Sequence, residues 1–174
     1  MEMKCFPITY QFDTMQCGIA CLQMICKYYG RDYSLSYLSG ICTSSAEGVS
    51  LHGINETAIQ LGFHTLCARL DIKDTMEMPL PCILHWNQNH FVVLYKIKKG
   101  KIFYIADPGK GLVKYNLEQF KKYWLSTLSN EEYMGIAMFL EPTSDFYKQQ
   151  MEEDSLKEQR SLKFLFEYIK RFII

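Results

Sequence analysis

Apolar residues recur at helical spacing through Ala20, Cys21, Met24, Ile25 and Tyr28, and the run closes on Gly30. This pattern predicts a helix whose first turn begins at Cys17 and whose end, near Tyr29, is capped by Gly30. Residues 5–16 read as extended or irregular, with Pro7 restricting what precedes it. Ser34 opens a short second helix through Gly40. The stretch from Cys42 to Gly48 is small and polar, and reads as a loop. Ser50 caps a third helix, with Leu51, Ile54, Ala58, Ile59 and Leu61 on its apolar face and Gly62 at its end.

The period then changes. Phe63–Leu70, Cys82–Trp86, Phe91–Ile97, Lys101–Ala106, Leu112–Tyr115 and Tyr133–Leu140 are β-branched and aromatic runs, and predict strands. Met78-Pro79-Leu80-Pro81 is a breaker, Lys98 to Lys101 a hairpin turn, and Asp107 to Gly111 a turn cluster. Asn116 caps one more helix, ending at Trp124. Helices first and antiparallel strands afterwards define an α+β class, with the helices expected on one side of the sheet. No internal repeat is visible.

Composition narrows the picture. With 174 residues, 48% of them hydrophobic and 22% charged, the chain is globular and has enough residues for one domain with a proper core. Formal net charge is zero, so there is no basic field to hold nucleic acid. Seven cysteines, an odd number, and an N-terminus without an apolar signal core point to a reducing cytosolic compartment and free thiols. No Cys-x-x-Cys pair occurs, so structural zinc is not expected. After Pro142 the composition shifts: Gln149 to Arg160 is charged and polar, and Leu162 to Ile174 is apolar and aromatic with interspersed Lys and Arg. This tail is too short for a membrane span. Two readings stay open for it: the beginning of a span, or a terminal helix folded onto the core.

The chemistry starts from position. A thiol at a helix start faces unpaired backbone N–H groups and the positive end of the dipole, and both favour the thiolate. Cys17 is therefore a candidate nucleophile; the alternative is a buried structural cysteine. A nucleophile needs a base, and four histidines are available. His52 falls in a helix first turn, His64 lies in a strand without an acidic neighbour, and His85 and His90 bracket a short connection. His90 opens the strongest strand. If its hairpin turns at Lys98 and Lys99, His90 lies opposite Asp107; a turn centred one residue later shifts the match by two positions. Directly opposed residues have Cβ atoms about 4.5–5.5 Å apart, so a carboxylate can reach the imidazole there and hold its tautomer. Gln11, six residues before Cys17, can donate its amide N–H₂ beside the Cys17 backbone N–H to an oxyanion. Its alternative is a surface glutamine.

Four motifs together carry a resemblance: Gln11…Cys17-Gly18, Ala20-Cys21-Leu22…Tyr28-Tyr29-Gly30, Asn89-His90-Phe91-Val92-Val93-Leu94, and Ala106-Asp107-Pro108…Gly111. Over about residues 5–141 the chain resembles the double-glycine leader peptidase domain, the papain-like cysteine peptidase of bacterial peptidase-containing ABC transporters. The resemblance implies Cys17 as nucleophile, His90 as base, Asp107 as its orienting partner and Gln11 in the oxyanion hole. It implies a precursor peptide as substrate, whose leader ends in Gly-Gly or a similar pair and is cut on the cytosolic side before export. It implies no cofactor for the peptidase, ATP being used by a nucleotide-binding domain outside this chain. No phosphate-binding Gly-Lys-Ser/Thr loop occurs here. The expected organisation is a peptidase domain over 1–142 and, over 143–174, a linker and the start of a helix leading to a transmembrane domain. Residues after about 145 are expected to be dispensable for cutting. One departure from the family pattern is Gln16, where an acidic residue often precedes the nucleophile. A reading of another class is a catalytically silent, peptidase-like domain that binds a secretion substrate; degenerate relatives of that kind lack the nucleophile, and Cys17 is present. Trp86 is a candidate wall for a cleft narrow enough to select glycine; the alternative is that Trp86 is simply core.

Overall fold

A computed structural model describes residues 5–42, 44–45, 48–125, 127–129 and 132–148. A 3₁₀ turn, Thr14–Gln16, leads into α1 (Cys17–Tyr28), followed by α2 (Leu35–Ile41), a two-strand hairpin of β1 (Ser44–Ser45) and β2 (Gly48–Val49), and α3 (Leu51–Gln60). Then come β3 (Phe63–Leu70), a 3₁₀ turn (Asp74–Glu77), β4 (Cys82–Trp86), β5 (His90–Lys98), β6 (Ile102–Asp107), β7 (Gly111–Asn116), α4 (Leu117–Trp124), β8 (Thr127–Ser129) and β9 (Glu132–Pro142). The main sheet is antiparallel, in the order β3-β9-β4-β5-β6-β7, with β8 paired to β9.

The caps explain the boundaries. Asp13 accepts the Met15 N–H at 2.8 Å and opens the turn before α1. At the other end of α1 the Arg31 N–H reaches the Cys26 carbonyl and the Gly30 N–H that of Lys27. This is a Schellman closure, and it needs the left-handed Gly30, with φ +96°. Ser34 and Ser50 accept the Tyr37 and Gly53 N–H groups, as expected of N-caps. Asn116 and Gln119 form a reciprocal capping box at the start of α4.

Two apolar layers lie on opposite faces of the sheet, and successive strand residues alternate between them. Ile83, Phe91, Val93, Ala106 and Met138 face α1, Leu38 of α2 and Ile54 of α3. Leu84, Val92, Phe103, Ile105 and Ala137 face Phe120 and Trp124 of α4. The expectation of helices on a single side is therefore corrected: the three N-terminal helices take one face and α4 the other. All ten residues from Cys17 to Cys26 are buried, whereas Tyr28 is 51% exposed. A helix buried on all sides over most of its length belongs inside a core, and its one polar side chain there, Gln23, is hydrogen-bonded. The expected loop at Cys42–Gly48 contains the short β1–β2 hairpin, which lays Gly48 against Met15, two residues before Cys17.

The packing also runs past Pro142. Residues 144–148 are helical, Phe146 is fully buried against Phe63, and the Arg31 guanidinium donates to the Phe146 carbonyl at 3.0 Å. A cut at Asp145 removes a core side chain, so the part expected to be dispensable begins after Phe146. The apolar tail lies outside the described residues, and among the described residues no helix is long and apolar enough to cross a membrane.

Gly135 of β9 lies directly under the indole of Trp124. A Cβ there would come within 2.1 Å of the ring, and the ring is held in place because its Nε1 donates to the Ile136 carbonyl at 3.1 Å. Gly135→Ala is expected to lower the unfolding free energy by about 1–3 kcal/mol through overpacking, measured as a shift in the urea midpoint at unchanged m-value.

Candidate active site

Cys17 is the first residue of α1 and is 5% exposed. Its place is set by the 3₁₀ turn before it and by Gly18 after it. A Cβ on Gly18 would fall 2.5 Å from Ile54 Cδ1 and 3.4 Å from the Phe91 ring, so the start of α1 sits hard against α3 and β5. Phe91 is the neighbour of His90, and the close approach brings the thiol to the strand that carries the imidazole. The remaining cysteines are free thiols as well. Cys21, one turn further along α1, is pushed up by burial and by the negative charges of Cys17 and Asp107, and therefore stays protonated.

His90 Nε2 and Asp107 Oδ1 are 2.8 Å apart. The contact is not the directly opposed pair of the simplest register. The turn places Lys98 opposite Ile102, and a bulge between Leu94 and Lys96 brings Val93 opposite Ala106. Asp107 then continues across from Val92, and His90 reaches it diagonally, the two-position mismatch that a later turn produces. Asp107 is 1% exposed, and its Oδ1 also accepts the Gly109 N–H at 2.8 Å. Among the described residues this is the one histidine–carboxylate pair. His85 stacks obliquely on Phe91, 5.2 Å between ring centroids, and burial pulls its pKa down, opposed by a hydrogen bond with the Gln88 backbone.

The electrostatics fit an ion pair. Burial pulls the His90 pKa down, but hydrogen bonds to Asp107 and Cys17, and their negative charges, outweigh it and bring it to about 9. Burial raises the Asp107 pKa, and the His90 bond, the Gly109 N–H and the charges of His90 and Lys110 more than reverse this, leaving it lowered. With Nε2 on Asp107, the ring nitrogen left for the thiol is Nδ1. Such an arrangement can hold a thiolate beside an imidazolium, which is the activated form of a cysteine nucleophile.

Gln11 enters through its backbone. Its N–H donates to the carbonyl of Pro108, next to Asp107, at 3.0 Å. Its side-chain Oε1 is buried without a partner, as is that of Gln16, the N-cap of α1. The link from Gln11 to the Asp107 turn was not visible in the sequence, since backbone bonds between distant loops leave no residue signature. The same holds for the Gly109 N–H.

An open cavity of about 540 Å³ adjoins the site, lined by Val49, Leu51, His85, Asn89, Phe91 and Ile136 among others. It lies between the β1–β2 hairpin with the start of α3 and the turn that ends at His90. Trp86 does not line it: that ring is 2% exposed and packs against Tyr115, Phe120 and Tyr123 in the α4 layer. Of the two readings of Trp86, cleft wall or core, the structure shows core, because strand alternation turns the ring to the other side of the sheet. Among the described residues no three His, Cys, Asp or Glu side chains cluster to hold a metal ion.

N-terminal helices laid on an antiparallel sheet, with a thiol at the start of the central helix, make this a papain-like architecture of the cysteine-peptidase class. A double-glycine motif protease from an AMS/PCAT transporter, solved in complex with its leader peptide, superposes with TM-score 0.69 at 33% identity, over 79% of this chain and 91% of that one. The peptidase domain of Streptococcus ComA superposes with TM-score 0.68 at 28% identity, over 80% and 100%. The Peptidase C39 family matches residues 5–145. The chain belongs to this family of cysteine peptidases, hydrolases acting on peptide bonds. It is 34% identical over 146 residues to the colicin V secretion/processing ATP-binding protein CvaB of Escherichia coli, and 34% identical over 156 residues to the lactococcin-G-processing and transport ATP-binding protein LagD of Lactococcus lactis. These matches span 84% and 86% of this chain but only 20% and 21% of those two proteins.

A pH profile of stability tests the pair. The His90 pKa is above the 6.5 of a free imidazole, so its contribution is complete below about 6.5 and is lost as pH rises through about 9. The Asp107 pKa is below 3.8, so its share is present above that value and is lost on acidification. The expected result is a fall in thermal midpoint through pH 9 that is absent in His90→Gln, measured by circular dichroism.

Proposed function

We propose that this chain is a cysteine endopeptidase that removes the leader from a secreted peptide precursor, cutting after a Gly-Gly type pair, as the peptidase unit of an exporting ABC transporter. The observation that carries the reading is the 2.8 Å bond between His90 Nε2 and buried Asp107, with the Cys17 side chain and the same Asp107 together raising the pKa of that imidazole. The solved relative in complex with a leader peptide supports the substrate class. The names of the processing and transport relatives support the coupling to export.

In this reading the Cys17 thiolate attacks the carbonyl carbon of the second glycine, and the electron pair moves onto the oxygen. The Cys17 backbone N–H and the Gln11 amide donate to that oxyanion. The His90 imidazolium gives its proton to the leaving nitrogen, the C–N bond breaks, and the mature peptide departs with a free amine. Water then attacks the thioester, His90 takes its proton, and the leader leaves as a carboxylate while the thiolate is restored. Asp107 stays ionised and keeps the ring oriented. No cofactor enters these steps; ATP is the business of a nucleotide-binding domain. The unit works at the cytosolic face of the membrane, with the described residues through Lys148 forming its body and the rest of the tail leading toward the transmembrane domain.

Selectivity for two glycines comes from a close-fitting passage beside Cys17, and affinity comes from elsewhere, because glycine offers little area. The cavity lined by Leu51, Phe91 and Ile136 has the apolar surface to take leader side chains upstream of the cut.

The deciding experiment is incubation with a panel of synthetic double-glycine precursors and mass analysis of the products. Cys17→Ala is expected to abolish cleavage while retaining leader binding, His90→Ala to be as damaging, and His85→Ala to keep substantial turnover. Cleavage by Cys17→Ala, or equal and complete loss in both histidine variants, overturns the assignment. Leu51→Asp tests the cavity. Leu51 is the first residue of α3, where an acid suits the helix dipole. The loss of apolar contact is expected to raise KM about tenfold with kcat little changed.

A further inference from the structure

We propose that Thr9 and Gln23 form a positioning latch for the oxyanion glutamine, a role that rests on the reading of Gln11 above. Thr9 Oγ1 donates to Gln23 Oε1 at 2.7 Å, and both residues are buried, 8% and 6% exposed. Gln23 Nε2 donates in turn to the Tyr33 carbonyl, so the amide is held at both ends and its orientation is fixed. Gln23 lies on α1, six residues after Cys17. Thr9 lies in the N-terminal segment, two residues before Gln11.

That segment has no regular secondary structure of its own over residues 5–11. It is pinned at separate points instead. Phe6 stacks on Tyr95 of β5 with ring centroids 4.5 Å apart, Thr9 bonds α1, and the Gln11 N–H bonds the Pro108 carbonyl at 3.0 Å. The Tyr10 ring rests on Gly111, where a Cβ would meet its hydroxyl at 2.9 Å. The segment therefore bridges the helix that carries the thiol and the turn that carries Asp107. Phe6 also lies against Tyr28 at the far end of α1, ring centroids 5.5 Å apart, but the Thr9–Gln23 bond is the directional contact to the nucleophile's own helix and the one nearest Gln11 in the chain. A donor near an oxyanion acts only when placed to within a fraction of an ångström, so slack at Thr9 is read at Gln11. A long, flexible glutamine amide in a buried position of a central helix is otherwise costly, and the two hydrogen bonds account for its presence there.

The test is a double-mutant cycle on the full chain, with a synthetic double-glycine leader peptide as probe and single-turnover rates where activity is low. Thr9→Val keeps the volume and removes the hydroxyl; Thr9→Ser keeps the hydroxyl. Thr9→Val is expected to lower kcat about ten- to a hundredfold with KM within about twofold, and Thr9→Ser to stay near the parent. In a Gln11→Ala background, itself slower by about 10²–10³, Thr9→Val is expected to cost nothing further. The same factor lost in both backgrounds, or an unchanged kcat with only a lowered thermal midpoint, overturns the latch and leaves Gln11 untouched. Full kcat in Gln11→Ala overturns the oxyanion reading itself, and the latch with it.

Discussion

A carboxylate that is 1% exposed needs partners within the protein, and the way Asp107 Oδ1 finds them organises this site, while Oδ2 is buried without a hydrogen bond. One oxygen receives both the His90 ring nitrogen and the Gly109 N–H, each at 2.8 Å. The first bond fixes the imidazole; the second folds the chain back on itself into the turn that ends β6. That turn exposes the Pro108 carbonyl to the Gln11 N–H. A single buried charge therefore sets the ring, shapes the loop and anchors the segment on the far side of the thiol. A buried carboxylate without these partners would cost several kcal/mol or take up a proton. The ion pair with His90 is thus a condition of folding this hairpin as well as a feature of its chemistry.

The second requirement is that the thiol meet the hairpin at all. Helix α1 is buried on every side, which leaves its axis no freedom to tilt, and Gly18 lets it approach β5 at the point where Phe91 precedes the rest of the strand. A helix start and a neighbouring imidazolium both favour a thiolate. Cys21 shows the other outcome in the same helix: with burial and two negative neighbours, its thiol is held neutral. Position within one turn separates a candidate nucleophile from an inert core residue. The sheet's two apolar layers, α1 on one and α4 on the other, keep β5 and β6 rigid beneath this arrangement.

Much of this was legible in the residues. Helix starts at Ser34, Ser50 and Asn116 follow from side chains that cap, and Phe63–Leu70 and Cys82–Trp86 follow from β-branched and aromatic runs bounded by Gly and Pro. The likeness of Cys17, His90 and Asp107 to one family was carried by four motifs in order. What escaped was decided by contacts across the fold. The alternation that sends Trp86 away from the cleft depends on strand register, and the bulge near Tyr95 that sets the His90–Asp107 diagonal has no glycine to announce it. The placement of α4 on the opposite face depends on which sheet face the first three helices leave open. Phe146 looked like part of a linker because a lone aromatic beyond a Pro carries no period to read, and only its seat against Phe63 and under Arg31 makes it core.

The division of labour between the two halves of the site has a kinetic meaning. The thiol and its helix dipole belong to the N-terminal helices, whereas the imidazole and carboxylate belong to the hairpin. In the proposed mechanism neither half holds an activated nucleophile alone, because the raised pKa of the ring rests on the side chains of both Asp107 and Cys17. Activation of that kind requires α1 to lie docked on β5, a contact that is part of the larger apolar core. For the proposed endopeptidase, tying activation to the packing of α1 on β5 confines the reactive sulfur to the folded site.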